Sequence, residues 1–125
     1  MKLRIRGNSL RLRLLQSEVA DLRNSSRVAE RISFGPETDQ SITYAVQVSE
    51  NATAVSAGFC ENEICVILPA DDATEWIDSD QTGIASSLEM EGGTLEILVE
   101  KDFVCLTRTD DPDSKDAYPN PEADC

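Results

Sequence analysis

The chain has no histidine, one tryptophan and only 5% aromatic residues. Without an imidazole there is no Ser-His-Asp triad, no histidine general base and no two-histidine metal triad. A cysteine has no histidine to act as its base, which disfavours cysteine hydrolase chemistry. Phosphate-cradling glycine loops and dinucleotide fingerprints are missing as well, so no cofactor is expected. No apolar run approaches the roughly 18–20 residues of a spanning helix, and the first residues alternate charge with Leu and Ile where a signal peptide would carry an apolar block. The expectation is a cytoplasmic protein with no membrane partner. Basic residues are scarce, 11 Lys and Arg against 24 Asp and Glu, and the net charge of −13 makes nucleic acid an unfavoured partner for the molecule as a whole.

What is present is unevenly spread. Residues 1–31 hold eight basic side chains (Lys2, Arg4, Arg6, Arg11, Arg13, Arg23, Arg27, Arg31) and three acidic ones, a net +5, and the remaining 94 residues carry −18. Such asymmetry within one chain marks a contact surface or an internal charge pairing. At 125 residues the chain is the length of one domain. We place an α+β domain at residues 1–106, followed by an irregular acidic tail over 107–125, where Asp, Pro, Asn and Ser replace any periodicity.

Period-2 alternation dominates the domain. A Gly7-Asn8 turn sets Leu3 opposite Leu12 and Ile5 opposite Leu10 on one face, and Arg4 opposite Arg11 and Lys2 opposite Arg13 on the other. A helix capped by Ser17 follows, with Val19, Ala20 and Leu22 inward. Val28, Ile32 and Phe34 begin a run of four strands that reads as an antiparallel meander. Its last two strands meet across Asn62-Glu63, with Phe59 opposite Val66 and Cys60 opposite Cys65. Asp72 and Glu75 suggest a capping box for a second helix that buries Ala73, Trp76 and Ile77. A Gly92-Gly93 hairpin closes the domain, with Leu88 opposite Ile97 and an outer face of Glu89, Glu91, Glu96, Glu100 and Asp102. The order is β-β-α-β-β-β-β-α-β-β, mostly antiparallel, predicting a strongly curved sheet or partly closed barrel of about eight strands with two short helices. No internal repeat is visible.

The opening Lys2-Leu3-Arg4-Ile5-Arg6-Gly7-Asn8-Ser9-Leu10-Arg11-Leu12-Arg13-Leu14, with Ser79-Asp80-Gln81-Thr82-Gly83, Leu95-Glu96-Ile97-Leu98-Val99-Glu100-Lys101-Asp102-Phe103 and Pro119-Asn120-Pro121, resembles an uncharacterised family of small bacterial proteins, a domain of unknown function. That resemblance implies no activity or ligand. Over about 25 residues, Gly7-Asn8-Ser9 with its basic flanks before a helix is similar to the swapped-hairpin transcription regulators of the antitoxin type, which implies DNA binding; the long acidic remainder departs from their pattern.

Three constellations could carry chemistry. Lys2, Arg4, Arg6, Arg11 and Arg13 could hold an anionic ligand or partner, or could lie beside Glu96 and Glu100 of the last hairpin and be neutralised there. Asp78, Asp80, Thr82 and Glu89 trace the outline of a calcium loop, although Thr82 is a weak ligand and a hairpin stands where an exiting helix is required. Cys60 and Cys65 could bridge or bind metal, with free thiols the blander alternative in a reducing compartment. The leading expectation is a non-catalytic binding or accessory protein, able to form homo-oligomers, that takes an unidentified protein or small anion on the basic hairpin. Its rivals are a metal-binding protein or metal-dependent enzyme using residues 78–102, and an antitoxin-like DNA-binding regulator.

Overall fold

Where the chain reverses decides which strands pair. The computed structural model describes residues 1–103 and Tyr118. Eight strands, β1 (Lys2–Arg6), β2 (Ser9–Leu14), β3 (Arg27–Ser33), β4 (Ser41–Ser49), β5 (Ser56–Cys60), β6 (Glu63–Pro69), β7 (Gly83–Met90) and β8 (Gly93–Lys101), are joined by helices α1 (Gln16–Ser25) and α2 (Ala70–Ile77). The α+β class and the strand and helix order are those the pattern predicts. The acidic-tail expectation lies outside the described residues apart from Tyr118.

The β1–β2 register is the expected one, Leu3 with Leu12 and Arg4 with Arg11, because Gly7 takes a positive φ of 52° at the first turn position. The other two registers are corrected. The β5–β6 turn is Glu61-Asn62, both at positive φ (51° and 62°), so Cys60 faces Glu63 and Cys65 faces Gly58. The β7–β8 turn is Glu91-Gly92, placing Leu88 opposite Leu95 and Ile84 opposite Val99. Neither slip moves a side chain to the other face, because each shifts the register by two residues along the partner strand. The helix starts are corrected as well. The N-caps are Leu15 and Pro69, and neither helix has a side-chain cap. Glu18 instead accepts a hydrogen bond from the Leu15 amide at 2.8 Å.

The strands form two four-stranded sheets, ordered β1-β2-β8-β7 and β3-β4-β6-β5. The meander does not form. β6 inserts beside β4 in parallel and leaves β5 on the edge. Its run Ile64-Cys65-Val66-Ile67-Leu68 is apolar on both faces, as an interior strand requires, while Ser56, Gly58 and Cys60 suit an edge.

The topology contains a repeat that the sequence hides. Moving residues 2–25 along by 54 positions lays β1, β2 and α1 on β5, β6 and α2, and β3 and β4 then correspond to β7 and β8. Each half is ββαββ, and each sheet takes one hairpin from each half, joined in parallel at β2–β8 and β4–β6. Equivalent hydrogen bonds recur. The Glu96 amide donates to the Asn8 carbonyl (3.1 Å) as the Thr43 amide donates to Asn62 (2.9 Å), and the Val48 amide donates to Ser26 (2.8 Å) as the Lys101 amide donates to Thr82 (2.9 Å).

The core obeys the same symmetry. Its largest fully buried side chains are Trp76, Leu12, Leu14, Leu22, Leu68, Val46, Val66 and Val99. They form four equivalent pairs: Leu12 with Val66, Leu14 with Leu68, Leu22 with Trp76, and Val46 with Val99. The helices cover the end of the sandwich where β2 and β6 finish, with Leu22, Ala73 and Trp76 buried there.

Glu61 holds a left-handed conformation that favours Gly or Asn. Glu61→Asn should therefore stabilise the fold by about 1 kcal/mol, seen as a higher Tm when unfolding is followed by the fluorescence of the single, buried Trp76. An unchanged or lower midpoint would contradict this account of the turn.

Candidate functional site

The basic residues of the first hairpin do share the outward face of the β1–β2–β8–β7 sheet. β8 runs beside β2 with Arg11 level with Leu98 and Arg13 level with Glu100. Glu100 takes both cations: Oε1 accepts from Arg11 Nε and Arg13 Nε, each at 2.7 Å. Lys2 Nζ reaches Asp102 at 3.0 Å. The internal neutralisation expected from the acidic last hairpin is thus present for these three. Glu96, the other expected partner, instead accepts a hydrogen bond from the Ser87 hydroxyl at 2.6 Å. Arg4 and Arg6 lie on the exposed edge strand β1.

The second half supplies an internal comparison. At the positions equivalent to Lys2, Arg4, Arg6, Arg11 and Arg13 it carries Ser56, Gly58, Cys60, Cys65 and Ile67. The same edge strand is built there without a cation. On that sheet the tie between hairpins is Arg27, whose Nη2 lies 2.5 Å from Glu63 and whose Nη1 donates to Gln47 at 3.1 Å. Its guanidinium reaches across β4 to β6, over Ala45, which is fully buried on this outward face.

Beside the basic edge lies a groove of about 300 Å³ lined by Ile5, Leu10, Phe59, Ile64, Met90 and Leu95, among others. Ile5 and Phe59 are equivalent positions of the two halves, and so are Leu10 and Ile64. They are the outermost residues of the inward faces, at the end the helices do not cover. Ile5 is 60% and Phe59 69% exposed. Asn8 and Ser9 also line the groove, but Asn8 Nδ2 donates to the Thr94 carbonyl (2.9 Å) and Ser9 Oγ to the Arg6 carbonyl (2.6 Å). Sequence reasoning placed these apolar residues inward and missed that the core runs out to solvent.

The other candidates are not assembled. Asp78 caps α2 and pairs with Arg23 of α1, and the Thr82 carbonyl accepts from Lys101. Glu89 sits near the far end of β7, about 20 Å along an extended strand from Thr82. A calcium loop would fold residues 78–89 around one ion, whereas β7 is extended from Gly83 to Met90, and among the described residues no group of three or more Cys, Asp or Glu could hold a metal. Cys60 and Cys65 are free thiols on one face but diagonal, not opposed, so a bridge would require backbone movement. Burial pushes the Cys65 thiol above its ordinary range, with Arg27 pulling weakly the other way, which disfavours a nucleophilic thiolate.

One charged cluster escaped sequence reasoning. The Met1 amino group pairs with Glu18 and with Glu30 Oε1, the latter at 2.6 Å, and Tyr44 Oη donates to Glu30 at 3.2 Å. The available signal was Glu30 itself, a carboxylate at an inward position of β3 between Val28 and Ile32. Desolvation works to lower the amine's pKa, but the hydrogen bonds it donates to both carboxylates, with their charge, outweigh it and raise the value. Glu30 moves the opposite way, lowered chiefly by its hydrogen bond to that amine.

A family profile matches residues 1–122. The chain belongs to DUF7009, a family of unknown function. No curated protein and no solved structure matches the chain. DUF7009 membership agrees with the expected uncharacterised family, and it leaves function to be argued from the site.

Two outcomes test this geometry. The amine contributes stability that is full below its ordinary value of 8.0 and is lost as pH rises through the raised pKa. Glu30 contributes stability present above its ordinary 4.5 and lost as pH falls through the lowered one. Tm should therefore be highest between these limits, and Glu18→Gln with Glu30→Gln should remove the alkaline decline; a decline that persists would sink the assignment. Glu100→Ala leaves Arg11 and Arg13 side by side without their shared acceptor and should cost about 2–3 kcal/mol in urea unfolding, against near-neutrality if the pair is only surface decoration.

Proposed function

We propose that this chain is a non-catalytic binding protein whose contact surface is the basic edge of the first hairpin, Lys2, Arg4 and Arg6, and whose partner is an acidic protein segment. The observation that supports this is the comparison between halves. β5 builds the same edge with Ser56, Gly58 and Cys60, so the fold itself does not require cations at these positions. A partner carboxylate would gain forked hydrogen bonds from arginine.

An extended partner suits the site. β1 is the edge of its sheet, so a strand laid alongside could hydrogen-bond to its backbone, with acidic side chains meeting the arginines on one face and apolar ones meeting Ile5 on the other. The same one-sidedness weighs against the swapped-hairpin regulator reading. The exchange of hairpins between sheets favours that reading, but a two-fold duplex site would need cations on both hairpins. The second hairpin has none on its outward positions, and the net charge is −13.

The test is binding of an immobilised peptide that alternates Glu and Leu, with a Lys-Leu peptide and duplex DNA as controls. Arg4→Glu with Arg6→Glu should lower affinity for the Glu-Leu peptide by about tenfold or more while leaving Tm nearly unchanged. Equal binding of the acidic and basic peptides, or affinity for the Glu-Leu peptide unchanged by the double reversal, would overturn the proposal. Salt-sensitive binding to duplex DNA that the same reversal abolishes would replace it with the regulator reading.

A further inference from the structure

We propose that Cys60 and Cys65 form a two-coordinate site for a soft monovalent metal ion, the cuprous ion, held in line between their two sulfurs. Both side chains stand on the outward face of the β3-β4-β6-β5 sheet and on neighbouring strands, with Cys60 opposite Glu63 and Cys65 opposite Gly58. Cys60 is exposed and Cys65 half-buried, so an ion reaches the pair directly from solvent.

Distance selects the kind of bridge. A disulfide closes at a Cβ separation of about 3.5–4.5 Å, whereas diagonal neighbours across an antiparallel pair stand somewhat under about 7–8 Å apart. Replacing one S–S bond of about 2.05 Å by two collinear metal–sulfur bonds of about 2.3 Å each lengthens the link by roughly 2.5 Å, to a reach of about 6–7 Å. The register that opposes a direct bridge therefore suits a sulfur–metal–sulfur one. There is also room for the ion. Gly58 carries no side chain, and a Cβ built on it would meet nothing within 4 Å, so the face beside Cys65 is open.

The number of ligands selects the metal. Structural zinc takes four, and the carboxylate opposite Cys60, that of Glu63, is held by Arg27 at 2.5 Å. Thiolate sulfur favours the soft cuprous ion, whose closed shell is satisfied by two ligands in line. Binding releases both thiol protons and leaves a complex of charge −1. Arg27 Nη1, 4.0 Å from Cys65 Sγ, is placed to offset that charge. The fold does not call for thiols here, since the equivalent positions of the first half are Arg6 and Arg11.

This site is independent of the acidic-partner reading, which concerns the other sheet. The experiment is competition for cuprous ion between the reduced full chain and bicinchoninate under nitrogen, read from the loss of the coloured bicinchoninate complex. The expected result is uptake of one ion per chain, with two sulfur neighbours seen by X-ray absorption. Cys60→Ser and, separately, Cys65→Ser should each weaken uptake by about a hundredfold or more, and Arg27→Gln by about tenfold, with Trp76 fluorescence retained. Cys105→Ser with Cys125→Ser should leave uptake unchanged. No transfer from bicinchoninate would overturn the proposal, as would uptake that survives either change at positions 60 and 65 or is lost with the changes at 105 and 125. Three or more sulfurs around the ion would also overturn it, and that measurement uses the unaltered chain, so it decides even where a serine variant fails to fold.

Discussion

Two parallel junctions, β2 with β8 and β4 with β6, are the constraint on which the molecule depends. An isolated two-stranded hairpin is at best marginal in water, and neither ββαββ half has a sheet of its own. Each half gives one hairpin to each sheet, so the two halves form together or not at all. The side-chain ion pairs reinforce the same places. Arg11 and Arg13 reach Glu100 across β2–β8, and Arg27 spans β4 to reach Glu63 on β6. Because β2 and β8 lie more than eighty residues apart in the chain, loop closure comes before any reward from that seam, which favours slow, cooperative folding.

How much of this could be read in the residues depends on whether a local signal existed. Gly7-Asn8 is a strong turn pair, and the β1–β2 register follows from it. At Glu61-Asn62 the turn includes a residue with no preference for positive φ, and Gly92-Gly93 allows two reversals, so each turn lies one position, and each register two residues, from the expected one, and the inward faces are unchanged. The parallel seams have no turn to announce them, which is why a meander was the natural expectation. The duplication is invisible for another reason. From Lys2 to Ser25, only Asn8, Leu14 and Ser25 keep their identity at Asn62, Leu68 and Ser79. Cores accept volume-compatible exchanges so long as the pattern is kept, and here Leu22 has become Trp76.

For the candidate site the balance is similar. The pairing of basic and acidic hairpins was legible because both alternate in charge, and the structure adds that one carboxylate, Glu100, holds two arginines. The calcium-loop outline is not assembled because spacing along a chain is not spacing in space: β7 stretches what an ion-binding loop would fold together. Exposure of Ile5 and Phe59 was not legible, since alternation says which face a residue takes and not how far the opposing sheet extends.

Duplication also separates what the fold needs from what it merely permits. Positions alike in both halves, such as Asn8 and Asn62 with their carbonyls accepting from the neighbouring hairpin, or the inward Leu12 and Val66, maintain the interlock. Positions that differ in charge cannot be required by a backbone that both halves share. Arg11 and Arg13 have acquired a structural duty through Glu100, so their loss at Cys65 and Ile67 is matched by the different tie that Arg27 makes. Arg4 and Arg6 stand on the exposed edge, where the corresponding Gly58 and Cys60 show that the strand forms without a cation. The charge asymmetry of the chain therefore resolves into two parts: an inner share that joins the halves, and an outer share on β1 that the fold does not demand. It is the outer share, beside a core that opens to solvent, that selection for binding could shape without disturbing the rest.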